Sequence, residues 1–356
     1  MTALDTVERP ARVALLGECM IELSHVAPDR LALGYAGDTF NAAAYLAREA
    51  APGTADVQYV TLVGDDPYST GMREAWAAHG VGAAHTHVVP GGQAGLYLIR
   101  TDESGERTFH YYRSQSAARG LFGPTHPDEI DDAVADCDLV YLSGITLSIM
   151  SEHARDRLLR VLDETRHRGG LVVFDGNYRP AGWPSPAAAA SAMSAVLSRT
   201  DIALPTFDDD RAVFGDTTAT ATVSRLRAAG VEEIAVKQGA QGALIADPDT
   251  EDLIPAVPNV KVVDTTAAGD AFNGAYLAAR LLGASRHSAA NQANTLAAQV
   301  ITHRGALLPP PTPATNYPRQ ARQTRGQPAG SSEARTCPRS EPPGERAQLS
   351  PHPLLR

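Results

Sequence analysis

Short, predominantly apolar runs alternate along this chain with stretches of helical spacing, and that rhythm limits the fold more than any other feature. The runs are RVALLG (12–17), QYVTLVG (58–64), LVYLSG (139–144), LVVFDG (171–176), IALP (202–205) and EIAVKQG (233–239). A strand with one wet face alternates polar and apolar residues; these do not, so both faces must be covered. Helices lie between them, in DTFNAAAYLAREA (38–50), TGMREAWAAHG (70–80) and HARDRLLRVLDETRHRGG (153–170). Asp38 or Thr39 is the expected N-cap of the first. The pattern predicts a mostly parallel sheet sandwiched between two layers of helices.

Two segments break the rhythm. GLYLIRTDESGERTFHYY (95–112) reads as two antiparallel strands joined by a turn at Glu103–Glu106. With the segment near 20–36 it predicts a small separate sheet, which in such an enzyme serves either as a lid or as an edge decoration. From Pro309 onward the chain holds 11 of the 25 prolines and seven arginines against three glutamates. A segment so poor in apolar residues does not offset its chain entropy, so 309–356 is expected to be disordered.

A net charge of −10 argues against nucleic-acid and anionic-membrane partners. Cys19, Cys137 and Cys337 are far apart and form no CxxC pair, which suits a reducing compartment. The polar opening MTALDTVERPAR has no apolar signal core, and a cytoplasmic protein is expected. GxxxxGK[ST], a helix-opening GxGxxG and HExxH are all missing, which removes Walker-type ATPases, dinucleotide dehydrogenases and zinc peptidases from contention.

The chemistry points to DTTAAGDAFNGAYLAARLLG (264–283). A helix N-terminus presents unpaired N–H groups and partial positive charge. Ala267, Ala268 and Gly269 have side chains small enough to let an anion reach them. Asp270 would repel a resting phosphate, yet it suits a site that deprotonates a hydroxyl beside a phosphoryl group. The competing reading is an ordinary helix start, small for packing and acidic for the dipole. Pattern alone leaves both open.

Other segments narrow the choice. VVDTTAAGDAFNGAYLA resembles the C-terminal signature of the PfkB (ribokinase-like) carbohydrate kinases, and TTAAGD is similar to the variant found in bacterial 2-dehydro-3-deoxygluconokinases. GECMIELS, AGDTFNAAAYLAR, ERTFHYYR, FDGNYRP and THRGALLP resemble the same branch in the same order, over about residues 13–308. The resemblance implies a ribokinase-like α/β/α fold with a small β-sheet lid. The kinase domain would span 12–308, with lid segments at about 18–36 and 93–114, and 309–356 as a tail.

The implied roles follow the motifs. Asp270 would be the general base, with Ala267, Ala268 and Gly269 forming the anion hole. Ala36, Gly37, Asp38, Thr39, Phe40 and Asn41 would form the sugar loop, and Tyr97, Tyr111 and Arg113 the lid contacts. Arg113 and Arg179 suit a sugar acid's carboxylate, since guanidinium pairs with it bidentately. Arg179 serves the nucleotide phosphates equally well. Asn177, Lys237, Gly239, Gly242 and Asn294 would border ATP, together with the helix entry. Mg²⁺ would meet Asp209, directly or through water, where the family more often has Asn-x-x-Glu; Thr206 holds the other position. Ala36 in place of a glycine, and Gln238 and Gln241, depart from the branch's usual residues.

The implied reaction is ATP-dependent phosphorylation of 2-dehydro-3-deoxy-D-gluconate at O6. The alternatives are a kinase for a neutral sugar such as fructose or ribose, and a catalytically silent sensor using the same cleft. The open edge of the small sheet suggests a homo-oligomer.

Overall fold

The computed structural model describes residues 9–27, 29–101 and 107–309. The chain runs from β1 (Ala11–Leu16) through β2 (Met20–Ala27), β3 (Arg30–Ala36), α1 (Asp38–Glu49) and β4 (Ala55–Gly64) to α2 (Pro67–Ala78). Then come β5 (Thr86–Val89), β6 (Leu96–Thr101), β7 (Arg107–Tyr112), α3 (Asp128–Ala135), β8 (Leu139–Ser143), α4 (Gly144–Ile149) and α5 (Glu152–His167). β9 (Leu171–Asp175), α6 (Pro186–Leu197), β10 (Ile202–Ala203), α7 (Phe207–Phe214) and α8 (Ala219–Ala228) follow. Last come β11 (Glu233–Lys237), β12 (Ala243–Ala246), β13 (Glu251–Ile254), α9 (Ala268–Leu281) and α10 (Arg286–Val300).

All six apolar runs lie in one nine-stranded sheet of order β13-β12-β11-β10-β9-β8-β1-β4-β5. Every pairing from β11 to β5 is parallel, and β12 and β13 add an antiparallel edge. Alternate side chains of β1 serve two cores. Val13 and Leu15 pack with Tyr45, Leu46, Phe272 and Leu277 of α1 and α9. Ala14 and Leu16 pack with Leu158, Leu162, Met193 and Leu226 of α5, α6 and α8. This double burial explains the apolar runs, and truncating one such leucine to alanine costs about 2–5 kcal/mol.

The four-stranded small sheet has the order β3-β2-β6-β7. β6 and β7 form the expected antiparallel hairpin, β2 pairs with β3 antiparallel, and β2 with β6 parallel. The turn expected at Glu103–Glu106 and the tail from 310 on lie outside the described residues.

Two details set up the site. α1 and α9 lie side by side because Gly274 has no side chain: a Cβ there would come within 2.6 Å of the Ala42 carbonyl and 2.7 Å of the Tyr45 Cβ. α1 is capped by neither Asp38 nor Thr39. Gly37 occupies the cap position without a side-chain bond, and Asp38 begins the helix with its carboxylate committed elsewhere.

Candidate active site

β4 continues the sheet on one side of β1 and β8 on the other, which opens a crevice beyond the carboxyl ends of the strands. Ser143, Asp175 and Lys237 end β8, β9 and β11, and the N-termini of α1 and α9 enter the same edge.

Asp270 sits in the first turn of α9, where Asn41 Nδ2 of α1 donates to its Oδ2 at 2.8 Å. Ala267 caps the helix in the left-handed region (φ 60°), so the chain turns sharply before it coils. The structure revises the anion hole. The Ala268 N–H is taken by the Thr265 carbonyl at 3.2 Å, whereas the amides of Gly269 and Asp270 have no partner among the described residues. Burial, reinforced by the negative charge of Asp38, pushes the Asp270 carboxyl up to about 7; Asn41 and Lys237 pull the other way. A carboxyl tuned near neutrality beside unengaged amides is equipped to take a proton from a hydroxyl. Asn41 Oδ1 is buried without a partner, an acceptor for a ligand's hydroxyl.

Beneath this turn lies a buried polar network. Lys237 Nζ donates to Asp175 Oδ2 (2.8 Å) and Asn273 Oδ1 (2.9 Å); Asn273 Nδ2 donates to Asp175 Oδ2 (2.6 Å) and to the Tyr141 hydroxyl (2.9 Å). A Cβ built on Gly269 would lie 3.5 Å from Lys237 Nζ, so this ammonium supports the helix entry from behind. Gly239 (φ 56°) and Gly242 (φ 99°) shape the turn after β11. At Gly242 a Cβ would fall 2.0 Å from the Ile254 carbonyl, so the glycine serves chain packing there. Asn294 is equally structural: its amide donates to the carbonyls of Ile254 (3.2 Å) and Pro255 (3.0 Å).

On the other side of Asp270, Asn177 Nδ2 donates to Asp38 Oδ2 at 2.9 Å, from a backbone held at φ 31°. Burial raises the Asp38 carboxyl, while the Ser143 hydroxyl and Arg179 lower it. Arg179 ion-pairs with Asp209 at 3.5 Å. The three acids opening α7 divide their work: Asp208 is exposed beside Arg211, Asp210 is buried against Arg225, and Asp209 turns to Arg179. Thr206 makes no side-chain cap. Among the described residues no cluster of three acids, histidines or cysteines forms a metal cage. Asp209, raised by burial, fits an ion that takes its remaining oxygens from phosphate and water.

The sugar loop splits. Asn41 and Asp38 reach the cleft, but Thr39 and Phe40 turn into the core: Thr39 Oγ1 bonds the Tyr59 hydroxyl at 2.9 Å, and Phe40 packs at 6.0 Å from Tyr59 and from Trp76. Their expected contact with the sugar is corrected. Ala36 is buried with Met20, Tyr97 and Ile99 on the inner face of the small sheet, against Ala267 and Ala306. Gly37 presses against the chain at Glu18. Tyr97 is buried and donates to Glu22 at 2.5 Å; burial and that carboxylate raise its phenol, which stays protonated. Tyr111 stands 54% exposed at 5.8 Å from Tyr97. Arg113 forms an ion pair with Glu18, whose side chain has no exposed surface. Sequence reasoning passed over Glu18, Glu22, Asp175 and Asn273. An acid closing the buried run LVVFD was the one local signal available, and it pointed only to Asp175.

A carboxyl raised toward neutrality at a helix entry, on the switch-point edge of a parallel sheet, is an arrangement suited to phosphoryl transfer. Residues 10–313 match the pfkB family carbohydrate kinase pattern, and the chain belongs to that family. It is 42% identical over 300 residues to the 2-dehydro-3-deoxygluconokinase of Dickeya dadantii (strain 3937), covering 83% of this chain and 96% of the relative. Against the enzyme of the same name from Escherichia coli (strain K12) it is 42% identical over 302 residues, covering 84% and 97%. Its fold superposes on a putative ribokinase II from E. coli, solved in complex with ATP and Mg²⁺, with a TM-score of 0.71 at 25% identity over 83% of this chain and 94% of that one.

Proposed function

We propose that this kinase transfers the γ-phosphoryl group of ATP to O6 of 2-dehydro-3-deoxy-D-gluconate. The observation that carries the proposal is Asp270, tuned to about 7 and oriented by Asn41 beside the unengaged amides of Gly269 and Asp270. Identity of 42% over nearly the whole length of two kinases for this sugar acid supports the substrate. Asp270 takes the proton from the 6-hydroxyl; O6 forms its bond to the γ-phosphorus as the bond between that phosphorus and the β,γ-bridging oxygen breaks, and ADP leaves. The two free amides, backed by Lys237, receive the developing negative charge. Mg²⁺ bound with ATP would neutralise phosphate charge, and Asp209 is the side chain that would meet it, directly or through water.

In the same reading, Arg113 and Arg179 receive the carboxylate, Tyr97 and Tyr111 cover the sugar, and the small sheet closes over it to exclude water. Asn177 and Gly239 form the nucleotide border. The catalytic unit is 12–308, working in the cytoplasm; no helix among the described residues is long and apolar enough to cross a membrane. Leu31, Leu33 and Tyr112 stand exposed on the outward face of the small sheet, a patch that a second copy would cover. Light scattering that gives a monomer would remove that oligomer.

One observation favours a neutral sugar instead: Glu18 already balances the charge of Arg113. ADP release with Mg-ATP, compared across 2-dehydro-3-deoxygluconate, its galactonate epimer, fructose and ribose, decides between them. Turnover confined to the sugar acids supports the proposal; turnover confined to fructose or ribose overturns it. Folded protein that binds ATP and turns over none of them is the silent sensor.

A further inference from the structure

Glu18 and Arg113 form an ion pair between the hinge and the end of the small sheet. Glu18 lies between β1 and β2, where the chain leaves the large sheet for the small one. Arg113 follows β7, where the chain leaves the small sheet again. The two residues therefore clamp an entry and an exit of the same element.

The surroundings are built to hold this contact. The Glu18 side chain has no exposed surface, whereas Arg113 keeps 21% of its own. Gly37 of the sugar loop lets the hinge approach: a Cβ there would lie 2.1 Å from the Glu18 carbonyl oxygen. Gly95, just before β6, clears the carboxylate itself: a Cβ there would lie 2.5 Å from Glu18 Oε1 and 3.2 Å from the Arg113 Cβ. Sugar loop, hinge acid and small-sheet cation thus meet at one point.

A carboxylate so buried is tolerated only with a cationic partner. Having no exposure, it does not touch substrate. Guanidinium, by contrast, carries five donors in a rigid fork, so one edge can be held while another stays free. We propose that Glu18 is the positioning residue for Arg113: it grips one edge of the guanidinium and fixes the exposed remainder toward the carboxylate of the bound sugar acid. This rests on the sugar-acid reading above. Glu18 thereby supplies specificity without contacting the ligand, and its charge keeps Arg113 from reaching out into solvent.

The test uses the full-length protein with Glu18→Gln, Arg113→Ala and the double variant. Glutamine keeps the shape but not the charge. Glu18→Gln is expected to raise KM for 2-dehydro-3-deoxygluconate by about tenfold, with KM for ATP and kcat within about threefold of wild type. In the double variant the Glu18 change should add nothing to the Arg113→Ala loss, because the two act as a unit. Gly95→Ala is the companion: it displaces the carboxylate while keeping both charges, and should raise the same KM. An unmoved or lowered KM in Glu18→Gln, or additive effects in the double variant, overturns the proposal while wild-type turnover of the sugar acid upholds the substrate reading. Wild-type enzyme active only on fructose or ribose overturns the substrate reading first, before any variant is compared. Should Glu18→Gln fail to fold, an unchanged KM in Gly95→Ala overturns the proposal by itself.

Discussion

The two sides of the cleft are made differently. The α9 entry rests on a buried network drawn from β8, β9, β11 and α9, in which Lys237, Asp175, Asn273 and Tyr141 are cross-linked by hydrogen bonds of 2.6–2.9 Å. The small sheet has aromatic rings on a thin support, with Tyr111 more than half exposed and Arg113 tied down by a single buried acid. The proposed base and anion-binding amides therefore stand on a cross-linked buried network, whereas the groups assigned to the sugar stand on an element with fewer buried polar ties. Rigidity belongs where a proton and a phosphoryl group must be placed to within a fraction of an ångström. Compliance belongs where a ligand has to enter.

The comparison is broken most severely at Asp270. Asp270→Asn should lower kcat by about 10² or more. Because the carboxyl must be ionised to act as a base and is raised to about 7, wild-type kcat/KM should fall about tenfold per pH unit below 7 and level off above it. Stability should run the opposite way. The folded state holds a proton here that the unfolded chain releases near pH 4, so wild-type stability drops as pH rises from about 4 to 7. Asp270→Asn has no such loss and should melt above wild type at pH 8, with the gap shrinking at pH 5. Melting curves at the two pH values and a pH–rate profile check both halves; a variant less stable than wild type at pH 8 would contradict the burial and repulsion assigned to Asp270.

Next in size is the platform itself. Lys237→Met leaves Asp175 buried without its cation and should cost about 3–5 kcal/mol in urea unfolding. The double variant Lys237→Met with Asp175→Asn removes both charges and should recover part of that loss, though not the activity. If the single variant unfolds like wild type, the network does not brace α9 as described.

These contrasts also explain what the sequence made visible. The large sheet was legible because its strands are buried on both faces, which leaves an unmistakable apolar run. Asp270 was legible because small residues before an apolar helix are a local signal. Asp175, Asn273 and Glu18 were not, since their meaning comes from partners far along the chain: Asp175 and Asn273 are 98 residues apart, and Arg113 reaches back from β7 to the hinge. Thr39 and Phe40 were misassigned because the motif was read as a string. On a helix, Asp38 and Asn41 share one face while the two residues between them rotate away, and here that rotation carries Phe40 into the core against Trp76. The N-cap was misread for a related reason: Asp38 has the chemistry of a cap, but Asn177 claims its carboxylate.

The smallest effect sharpens the comparison from the compliant side. Tyr111 stacks on Phe109 with ring planes 15° apart and stands half in solvent, so little of the fold depends on it. Tyr111→Ala should shift folding stability by no more than about 0.5 kcal/mol, as exposed substitutions do. If the small sheet covers the sugar, losing this ring should still raise KM for the sugar acid a few-fold and leave kcat and KM for ATP in place. Steady-state kinetics with each substrate varied in turn separates these quantities. A fall in kcat with an unmoved sugar KM would mean that Tyr111 acts during the chemical step, and the division between a rigid chemical side and a compliant recognition side would then no longer hold.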